Sequence, residues 1–274
     1  MKVGFIGAGN MASAIVRGVV ASGSVAAEDI VVTSAHGHSA RALAREAGVD
    51  VLETNEELVE QVGAGGVVVL AVKPHVIPEV LAPLRDLLAE YGSLVVSLAA
   101  GTPLATLEGM LPEGQAVVRV MPNVNSQIRA GMAAVCGNAE ATDEEVDAVV
   151  GLFEAVGAAI VLPERDFAAF SAVAGAAPAF VFTFIDALAR GGLKNGLPKA
   201  KAVRIAAQTV LGSARMVLER AADGVTPADL VDTVTSPGGT TIAGVVAMEE
   251  AGFTPAVVRG VQATIDRDRA LAEG

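Results

Sequence analysis

Residues 2–18 read Lys-Val-Gly-Phe-Ile-Gly-Ala-Gly-Asn-Met-Ala-Ser-Ala-Ile-Val-Arg-Gly, a short apolar strand that runs through a glycine-rich turn into a helix. The turn has the form Gly7-x-Gly9-x-x-Ala12. Gly7 suits a tight turn, Gly9 leaves room for a pyrophosphate beside the backbone, and Ala12 lets the helix pack closely on the strand. Because the first amides of a helix are free to bind phosphate, the stretch predicts a Rossmann-like, dinucleotide-binding domain.

The end of the second predicted strand indicates which dinucleotide binds. After Ile-Val-Val-Thr at 30–33 come Ser34, Ala35, His36, Gly37 and His38, without the acidic residue that would bind the ribose 2′-hydroxyl of NAD. Arg41 and Arg45 follow. A small hydroxyl and nearby cations suit a 2′-phosphate, so we predict NADP(H), with NAD(H) as the alternative. The other interpretation is that the two arginines form a solvated helix face.

Short β-rich runs alternate with helical patterns through about residue 160, which predicts an α/β fold with a doubly wound, mostly parallel sheet. Residues 67–72 and 93–99 are continuous apolar runs, as buried parallel strands are. A further strand at 116–120 leads into Met-Pro-Asn at 121–123, and 133–136 and 159–162 are expected to close the sheet. Ligands bind at the carboxyl ends of such strands, so the motifs that follow them are expected at one edge.

Beyond Pro163 the pattern is helical, with helices expected at 164–191, at 198–222, after a glycine loop, and from about 254. Val203, Val210 and Leu218 belong to an apolar stripe at helical spacing. These helices carry more apolar surface than the segment can cover alone, so we expect subunit pairing there. The predicted domains are an NADP-binding Rossmann-like domain at 1–162 and a helical substrate and dimerisation domain at 163–274.

The composition excludes some classes of partner. A formal net charge of −12 in 274 residues opposes nucleic acid, whose phosphates would be repelled. The uncharged stretch 167–185 is long enough to resemble a membrane span. Gly175 and Pro178 interrupt it and Asp166 and Asp186 flank it, so we predict no membrane segment and a helix buried between subunits instead.

Cysteine and histidine usage predicts a cytoplasmic protein without a metal. The chain has one cysteine, Cys136, which cannot form an internal disulfide and suits a reducing compartment. The three histidines lack metal-ligand spacing, so no metal is expected. The first strand begins at the N-terminus, so we expect no signal peptide.

A second glycine-rich loop reads Ser236-Pro237-Gly238-Gly239-Thr240-Thr241 and precedes an apolar helical run. Proline pre-sets a turn, the glycines let a ligand approach the backbone, and the hydroxyls can donate or accept hydrogen bonds. The loop therefore predicts a site for a small anion. The alternative is that Thr240 or Thr241 merely caps the following helix.

Together these motifs resemble the Δ1-pyrroline-5-carboxylate reductase family over nearly the whole chain. The matching stretches are Phe-Ile-Gly-Ala-Gly-Asn-Met-Ala at 5–12, Ala-Val-Lys-Pro at 71–74, Ala-Ala-Gly at 99–101, Met-Pro-Asn at 121–123, Gly-Leu-Pro at 196–198, Ala-Gln-Thr-Val-Leu-Gly at 207–212, and the 236–241 loop. The resemblance implies NADPH-dependent reduction of the cyclic imine Δ1-pyrroline-5-carboxylate to L-proline, the last step of proline biosynthesis. It also implies a homodimer through the helical domain, with a ring-like assembly such as a decamer as a higher form.

The resemblance further implies the site residues. The cofactor-binding set is Ile6, Gly7, Ala8, Gly9, Asn10 and Met11 for the phosphates, Ser34 and Asn55 for the adenosine part, Ala71, Val72, Lys73, Pro74, Leu98, Ala99, Ala100 and Gly101 on the nicotinamide side, and Asn123 on the same edge. The substrate-binding set is Glu164, Ser236, Gly238, Gly239, Thr240 and Thr241. Thr241 is the expected catalytic residue, its hydroxyl facing the ring nitrogen. Lys73 as a catalytic acid is an alternative to a structural role beside the cofactor.

The chemistry of imine reduction suits these residues. A hydride must reach the imine carbon and a proton the nitrogen, so the protein has to position and polarise the reactants. Backbone amides at 238–240 can bind the substrate carboxylate as a nest binds an anion. The Glu164 charge could favour an iminium. The alternative for Glu164 is an exposed carboxylate at a helix start.

Two stretches depart from the family pattern. Residues 174–179 read Ala-Gly-Ala-Ala-Pro-Ala where many members have Ser-Gly-Ser-Gly-Pro-Ala, and Val124-Asn125 replaces Thr-Pro. These changes predict a drier or narrower pocket and leave a paralogue acting on another cyclic imine as an alternative. Arg129, close by, could add an anion contact.

Two functions of other classes are alternatives. A 6-phosphogluconate-type hydroxyacid dehydrogenase or an imine reductase should place a catalytic lysine or acid on the long helix, and residues 167–185 offer none. A non-catalytic NADP-binding protein would fit the missing hydroxyls at Ala174 and Ala176, but the intact Thr241 opposes it.

Overall fold

A computed structural model describes residues 1–272. Its strands are β1 (Val3–Ile6), β2 (Ile30–Thr33), β3 (Asp50–Val51), β4 (Val67–Leu70), β5 (Leu94–Ser97), β6 (Val117–Met121), β7 (Gly131–Gly137) and β8 (Gly157–Val161). They form one sheet in the order β3-β2-β1-β4-β5-β6-β7-β8. Every neighbouring pair is parallel except β6 and β7. The predicted doubly wound α/β fold is confirmed.

Helices alternate with these strands. They are α1 (Asn10–Ser22), α2 (His38–Ala47), α3 (Asn55–Val62), α4 (Ile77–Leu81), α5 (Arg85–Tyr91), α6 (Leu104–Glu108) and α7 (Asp143–Glu154). Short 3₁₀ segments lie at Ala27–Asp29, Pro74–Val76, Ala82–Leu84, Val124–Ile128 and Glu164–Asp166. The chain reverses through Val124–Ile128, with Arg129 at φ 57, and this short connection makes β7 antiparallel to β6.

The strands β1, β2, β4 and β5 bury both of their faces. Val3 and Phe5 of β1 pack into one cluster with residues of α1, α2 and α7, whereas Ile6 packs into a second cluster with residues of α3, α4 and α5. Successive side chains of a strand point to opposite faces, so a sheet covered on both sides needs apolar residues throughout. This explains the continuous apolar runs in the sequence.

The remaining helices are α8 (Phe167–Phe170), a π-helical segment at Ser171–Ala176, α9 (Ala177–Lys194), α10 (Lys199–Ala221), α11 (Pro227–Thr233), α12 (Thr240–Glu250) and α13 (Phe253–Ala272). The sequence did not predict α11 or the two-residue strand β3. In the α11 region, Thr226 and Asp229 form a capping box that fixes the helix start.

The chain divides into two compact units. The first consists of Met1–Gly175 and the end of α13 from Ile265, and the second is Ala176–Thr264. The predicted domain boundary lies earlier, after residue 162. Helical residues 164–175 group with the first unit because Arg119 of β6 and Asn123, just after it, form hydrogen bonds with them.

The second unit has a small core of its own. α9 and α10 pack against each other through Ala189, Ala202 and Ala206, with Ile185 beside them. Most of their large apolar side chains are exposed. The helical run Glu164–Lys194 is long and apolar enough to cross a membrane by length and composition, with 11% of its most apolar window buried. The bent pair Thr240–Glu250 and Phe253–Ala270 meets the same test only if taken as one span.

Candidate active site

The turn between β1 and α1 has the shape of a phosphate cradle. Gly7 has φ 103, and a Cβ there would lie 2.7 Å from the Ala71 carbonyl oxygen. Gly9 starts the helix, and a Cβ on it would meet no described heavy atom within 4 Å. No side chain caps α1 and its first turn has no acidic residue. Its first amides are therefore free for an anion, and these residues fit the pyrophosphate of a dinucleotide.

The end of β2 is polar. The Thr33 hydroxyl donates to Asn55 Oδ1 at 2.7 Å, which places Asn55 beside Ser34 at the same edge. The Ser34 hydroxyl accepts the Ala40 amide at 3.3 Å, so it also supports the start of α2. The Arg41 guanidinium lies against Gly37 and 3.9 Å from Glu53, with about half of the Arg41 side chain exposed. An exposed cation therefore stands where a 2′-phosphate would be expected.

The ends of β4 and β5 extend this edge. The Ala71 amide donates to the Ile6 carbonyl at 2.9 Å and the Leu98 amide to the Leu70 carbonyl at 3.0 Å. Ala99 is buried, while Ala100 and Gly101 are exposed. The structure thus brings the predicted cofactor residues at 6–11, 34, 55, 71–74 and 98–101 to the carboxyl ends of adjacent parallel strands, β1, β2, β4 and β5. Lys73 is exposed and has no ion-pair partner in the described part of the chain.

The Asn123 side chain forms hydrogen bonds within the protein. It is 6% exposed, and its Oδ1 accepts the amides of Asn125 and Met132, each at 3.2 Å. Its Nδ2 donates to the Ala174 carbonyl at 2.9 Å. Pro178, four residues after Ala174, has no amide hydrogen to offer that carbonyl. Asn123 therefore supplies a hydrogen bond that Pro178 cannot, and its predicted contact with the cofactor stays a prediction.

Glu164 also has internal partners. Its Oε1 accepts from Arg119 Nη1 at 2.8 Å and from the Leu104 amide at 2.7 Å. The Arg119 side chain is 10% exposed and that of Glu164 31%. The structure thus contradicts the alternative of a free, exposed carboxylate at a helix start. The predicted role in substrate binding is not tested by these contacts.

Arg119 was not among the site residues predicted from the sequence. The signal was a single charged residue inside an apolar strand, Val-Val-Arg-Val-Met at 117–121. Its guanidinium also lies over the Phe167 ring, 4.7 Å from the ring centroid. Such a residue in a central strand needs partners because an unpaired buried charge is costly.

Cys136 lies near this pair. Burial raises the pKa of its thiol above the ordinary 9.0, and the Glu164 carboxylate raises it further, against smaller opposing effects that include the Arg119 charge. The thiol is therefore protonated at neutral pH, which is consistent with a packing role. No group of three or more potential metal ligands occurs among residues 1–272.

The 236–241 loop lies in the second unit. The Gly239 amide donates to the Ser236 carbonyl at 2.9 Å, and Gly238 between them has φ 69, the geometry of a type II turn with Pro237 at its second position. Gly239 is then the N-cap residue of α12, and no side chain caps this helix. The alternative that Thr240 or Thr241 caps this helix is wrong: Thr240 is its first residue.

The loop presents free polar groups. Ser236, Thr240 and Thr241 are exposed, and their hydroxyls form no hydrogen bond with any described residue. The first amides of α12 are likewise without helical partners. A free hydroxyl beside free helix amides can bind a carboxylate and orient a neighbouring nitrogen.

The segment that departs from the family pattern has an unusual helix. Ser171–Ala176 is π-helical, and such turns often occur at functional sites. A Cβ on Gly175 would lie 3.4 Å from the Met121 methyl carbon, so little space remains there for a side chain. Near Asn123 in the chain, Val124 is exposed and the Arg129 backbone is in the left-handed region.

This fold and edge define a dinucleotide-dependent oxidoreductase, and comparisons with known proteins agree. Residues 2–101 match the family model described as NADP oxidoreductase coenzyme F420-dependent. Residues 164–271 match the model for pyrroline-5-carboxylate reductase dimerisation. The predicted NADP(H) cofactor and the role of the helical half in oligomerisation are confirmed at this level.

Relatives that match over nearly the full length show which family the chain belongs to. A pyrroline-5-carboxylate reductase of Methanosarcina acetivorans is 38% identical over 272 residues, covering 99% of this chain and 98% of the relative. The solved pyrroline-5-carboxylate reductase of Coxiella burnetii has a TM-score of 0.91 and 33% identity over 98% of both chains. Plasmodium falciparum pyrroline carboxylate reductase, solved with NADP bound, has a TM-score of 0.85 and 27% identity over 99% of this chain and 98% of that one. The chain belongs to the pyrroline-5-carboxylate reductase family, as its motifs predicted.

Proposed function

We propose that this protein reduces Δ1-pyrroline-5-carboxylate to L-proline with NADPH, the last step of proline biosynthesis. The observation that carries the proposal is the 236–241 turn, whose free amides and free Thr241 hydroxyl suit a ring bearing a carboxylate next to a C=N bond. Full-length identity to named members of the family supports the same substrate.

The first unit would hold the cofactor. The amides at the start of α1 and the open space at Gly9 suit the pyrophosphate, and the polar group of Ser34, Asn55 and Arg41 suits an adenosine 2′-phosphate. When bound, NADPH supplies the hydride for the imine carbon. Residues 71–74 and 98–101 would exclude water and orient the nicotinamide side.

The second unit would hold the substrate. The amides of Gly238 and Thr240 would bind the carboxylate, since the Gly239 amide already closes the turn onto the Ser236 carbonyl, and the positive end of α12 favours its charge. The Thr241 hydroxyl orients the ring nitrogen and stabilises the N–H that forms there. Ser236 completes the polar side of this loop.

The assembly we propose is a homodimer through the helical half, with a ring of dimers such as a decamer as a higher form. The exposed apolar helices would then pack on a second copy of the chain and not on lipid, which agrees with the dimerisation model over 164–271. Light scattering on the purified protein measures the number of chains. A cytoplasmic location is a further prediction, for which the single cysteine is the support.

The test is NADPH oxidation, followed by absorbance, with racemic Δ1-pyrroline-5-carboxylate, beside the six-membered analogue and with NADH in place of NADPH. We expect turnover with the five-membered ring and a preference for NADPH. Binding of NADPH without turnover of either ring would contradict the proposal.

A related activity rests on one specific observation. Ala174 and Ala176 stand where many family members have serine, so this chain offers fewer hydroxyls in the π-helical segment. Faster turnover of the six-membered ring than of the five-membered ring would favour a reductase of another cyclic imine.

A further inference from the structure

One carboxylate oxygen joins three parts of the first unit. Glu164 Oε1, at the start of the helical segment after β8, accepts from Arg119 of β6 at 2.8 Å. The same oxygen accepts from the amide of Leu104, the first residue of α6, at 2.7 Å. The Arg119 guanidinium also lies over the Phe167 ring. Strand, helix and loop thus meet at a single atom.

The contact to Leu104 affects the loop after β5. Pro103 precedes Leu104 and provides no side-chain cap for α6, so the Glu164 oxygen takes the place of a capping group. Residues 98–101, expected beside the nicotinamide, lie just before it in the chain. Ala100 and Gly101 are exposed and Gly101 is in the left-handed region, whereas Thr102 and Leu104 are buried. The buried end of the loop is therefore its anchored end.

Arg119 holds the Glu164 carboxylate in place. The 10% exposed guanidinium holds the Glu164 oxygen, and its stacking on Phe167 limits its own movement. A charge-assisted hydrogen bond inside the protein is stronger and more directional than one on the surface. Breaking the pair would leave a buried charge and a free loop amide, so both ends are expected to shift.

We propose that Arg119 and Glu164 are positioning residues, which hold Leu104 and through it set the 98–101 backbone for hydride transfer. The proposal rests on the proposed function because it takes residues 98–101 as the nicotinamide side. It gives Glu164 a role through the loop and not through the substrate nitrogen. Cys136 is the titratable neighbour of the pair, so all variants are compared at one pH near neutrality, where its thiol is protonated.

The experiment compares Glu164→Gln, Glu164→Ala and Arg119→Lys. Glutamine keeps an oxygen that can accept the Leu104 amide, alanine removes it, and lysine keeps the charge but loses the planar fork and the stacking. Asp166→Asn is the matched control, since Asp166 lies two residues on and pairs only loosely with exposed Arg165 at 4.0 Å. Measured quantities are kcat, both KM values, the NADPH dissociation constant by fluorescence, and the isotope effect with NADPH deuterated at C4.

We expect Glu164→Ala to lower kcat by about tenfold or more and to raise the isotope effect, because misplacement slows hydride transfer itself. The KM for the imine should stay near the wild-type value. Arg119→Lys should behave similarly, Glu164→Gln should fall between alanine and wild type, and Asp166→Asn should match wild type.

Three outcomes would overturn the proposal. The first is a rise in the KM for the imine alone, which would make Glu164 a substrate contact. The second is wild-type kinetics in all variants. The third is a lower melting temperature for Arg119→Lys and Glu164→Gln with unchanged kinetics and isotope effect, which would make the pair merely structural. These two conservative variants decide the matter if Glu164→Ala does not fold.

Failure of the proposed function has a different signature. In that case wild-type protein would not reduce Δ1-pyrroline-5-carboxylate at all. The affinity for NADPH is then the quantity compared. Weaker binding by Glu164→Gln and Arg119→Lys than by Asp166→Asn would support the role of the pair in positioning the 98–101 loop. Equal binding by the three variants would contradict that role.

Discussion

The two units of this chain differ in how they use apolar residues. In the first, the strands β1, β2, β4 and β5 are buried on both faces, and residues such as Val68 and Val96 have no exposed surface. In the second, buried apolar side chains are few and small, whereas Phe182 is 59% and Leu218 77% exposed. The first unit completes its cores within one chain. The second has apolar surface that needs more protein to cover it.

The candidate sites differ in the same way. The cofactor edge is built on the ends of buried strands, which fix its backbone. The 236–241 loop is an exposed turn at the start of α12. The comparison predicts that changes in the first unit act on cofactor binding, and changes in the second on assembly and turnover.

The largest expected effect is at Gly9. Gly9→Val should weaken NADPH binding by about 100-fold or more, because the side chain would occupy the place of the pyrophosphate. Folding should persist, since a Cβ there meets no described atom within 4 Å. Fluorescence titration with NADPH measures the affinity. Gly151→Val in α7 is the control, as its added Cβ is equally unhindered and far along the chain from the turn. If Gly9→Val left the NADPH affinity unchanged, the phosphates would not bind at this turn.

The second effect tests the loop of the helical unit. Thr241→Ala should lower kcat by about 100-fold, as loss of one oriented hydrogen-bonding group costs on the order of 3 kcal/mol in a transition state. NADPH affinity should not change, because the cofactor edge belongs to the first unit. Thr241→Ser keeps the hydroxyl and should retain most of the activity. An alanine variant as fast as wild type would place the substrate site elsewhere.

The third effect concerns assembly. Leu218→Glu should weaken dimerisation by about 30-fold, near 2 kcal/mol, because it places a charge on the apolar stripe of α10. Ile128→Glu is the matched control, with the same 77% exposure but in the first unit. Sedimentation over a range of concentrations compares the two. If both variants dissociated equally, or if neither did, the apolar surface of the second unit would not be what holds the dimer together.

The smallest effect concerns Asn123. Asn123→Asp keeps the acceptor for two amides but loses the donor to Ala174, and should cost about 1–2 kcal/mol of unfolding free energy. Pro178→Ala restores an amide hydrogen that can serve the same carbonyl. The aspartate change should therefore cost less in the Pro178→Ala background, as urea unfolding of the four proteins of the cycle would measure. Strictly additive costs would mean that the carbonyl does not link the two residues.

Much of the fold could be predicted because its signals are local. The glycine pattern at 7–12 and the apolar runs that became β4 and β5 need only neighbouring residues to be interpreted. The strand β3 is two residues long and the helix α11 seven, too short for a periodic pattern to identify. The direction of β7 depended on the short reversal at 124–129.

The site was predicted in part, for a similar reason. Residues that are expected to bind through their backbone, such as those of the 7–11 turn, carry a sequence motif. The partners of Glu164 lie 45 and 60 residues away in sequence, at Arg119 and Leu104, and no spacing rule relates them. The charge of Arg119 inside an apolar strand was the available signal, and it would have predicted a buried partner without naming it.

The sequence by itself determined the alternation of most strands and helices and the glycine-rich turns at 7–9 and 236–239, because each follows from the conformational limits of glycine and proline and from the pattern of apolar residues. The tertiary structure alone decided which polar side chains are already engaged. The Asn123 side chain is bonded to Ala174 and one Glu164 oxygen to Arg119 and Leu104, whereas the Thr241 hydroxyl is free. A hydrogen bond depends on distance and direction in space, which residue spacing along the chain does not fix.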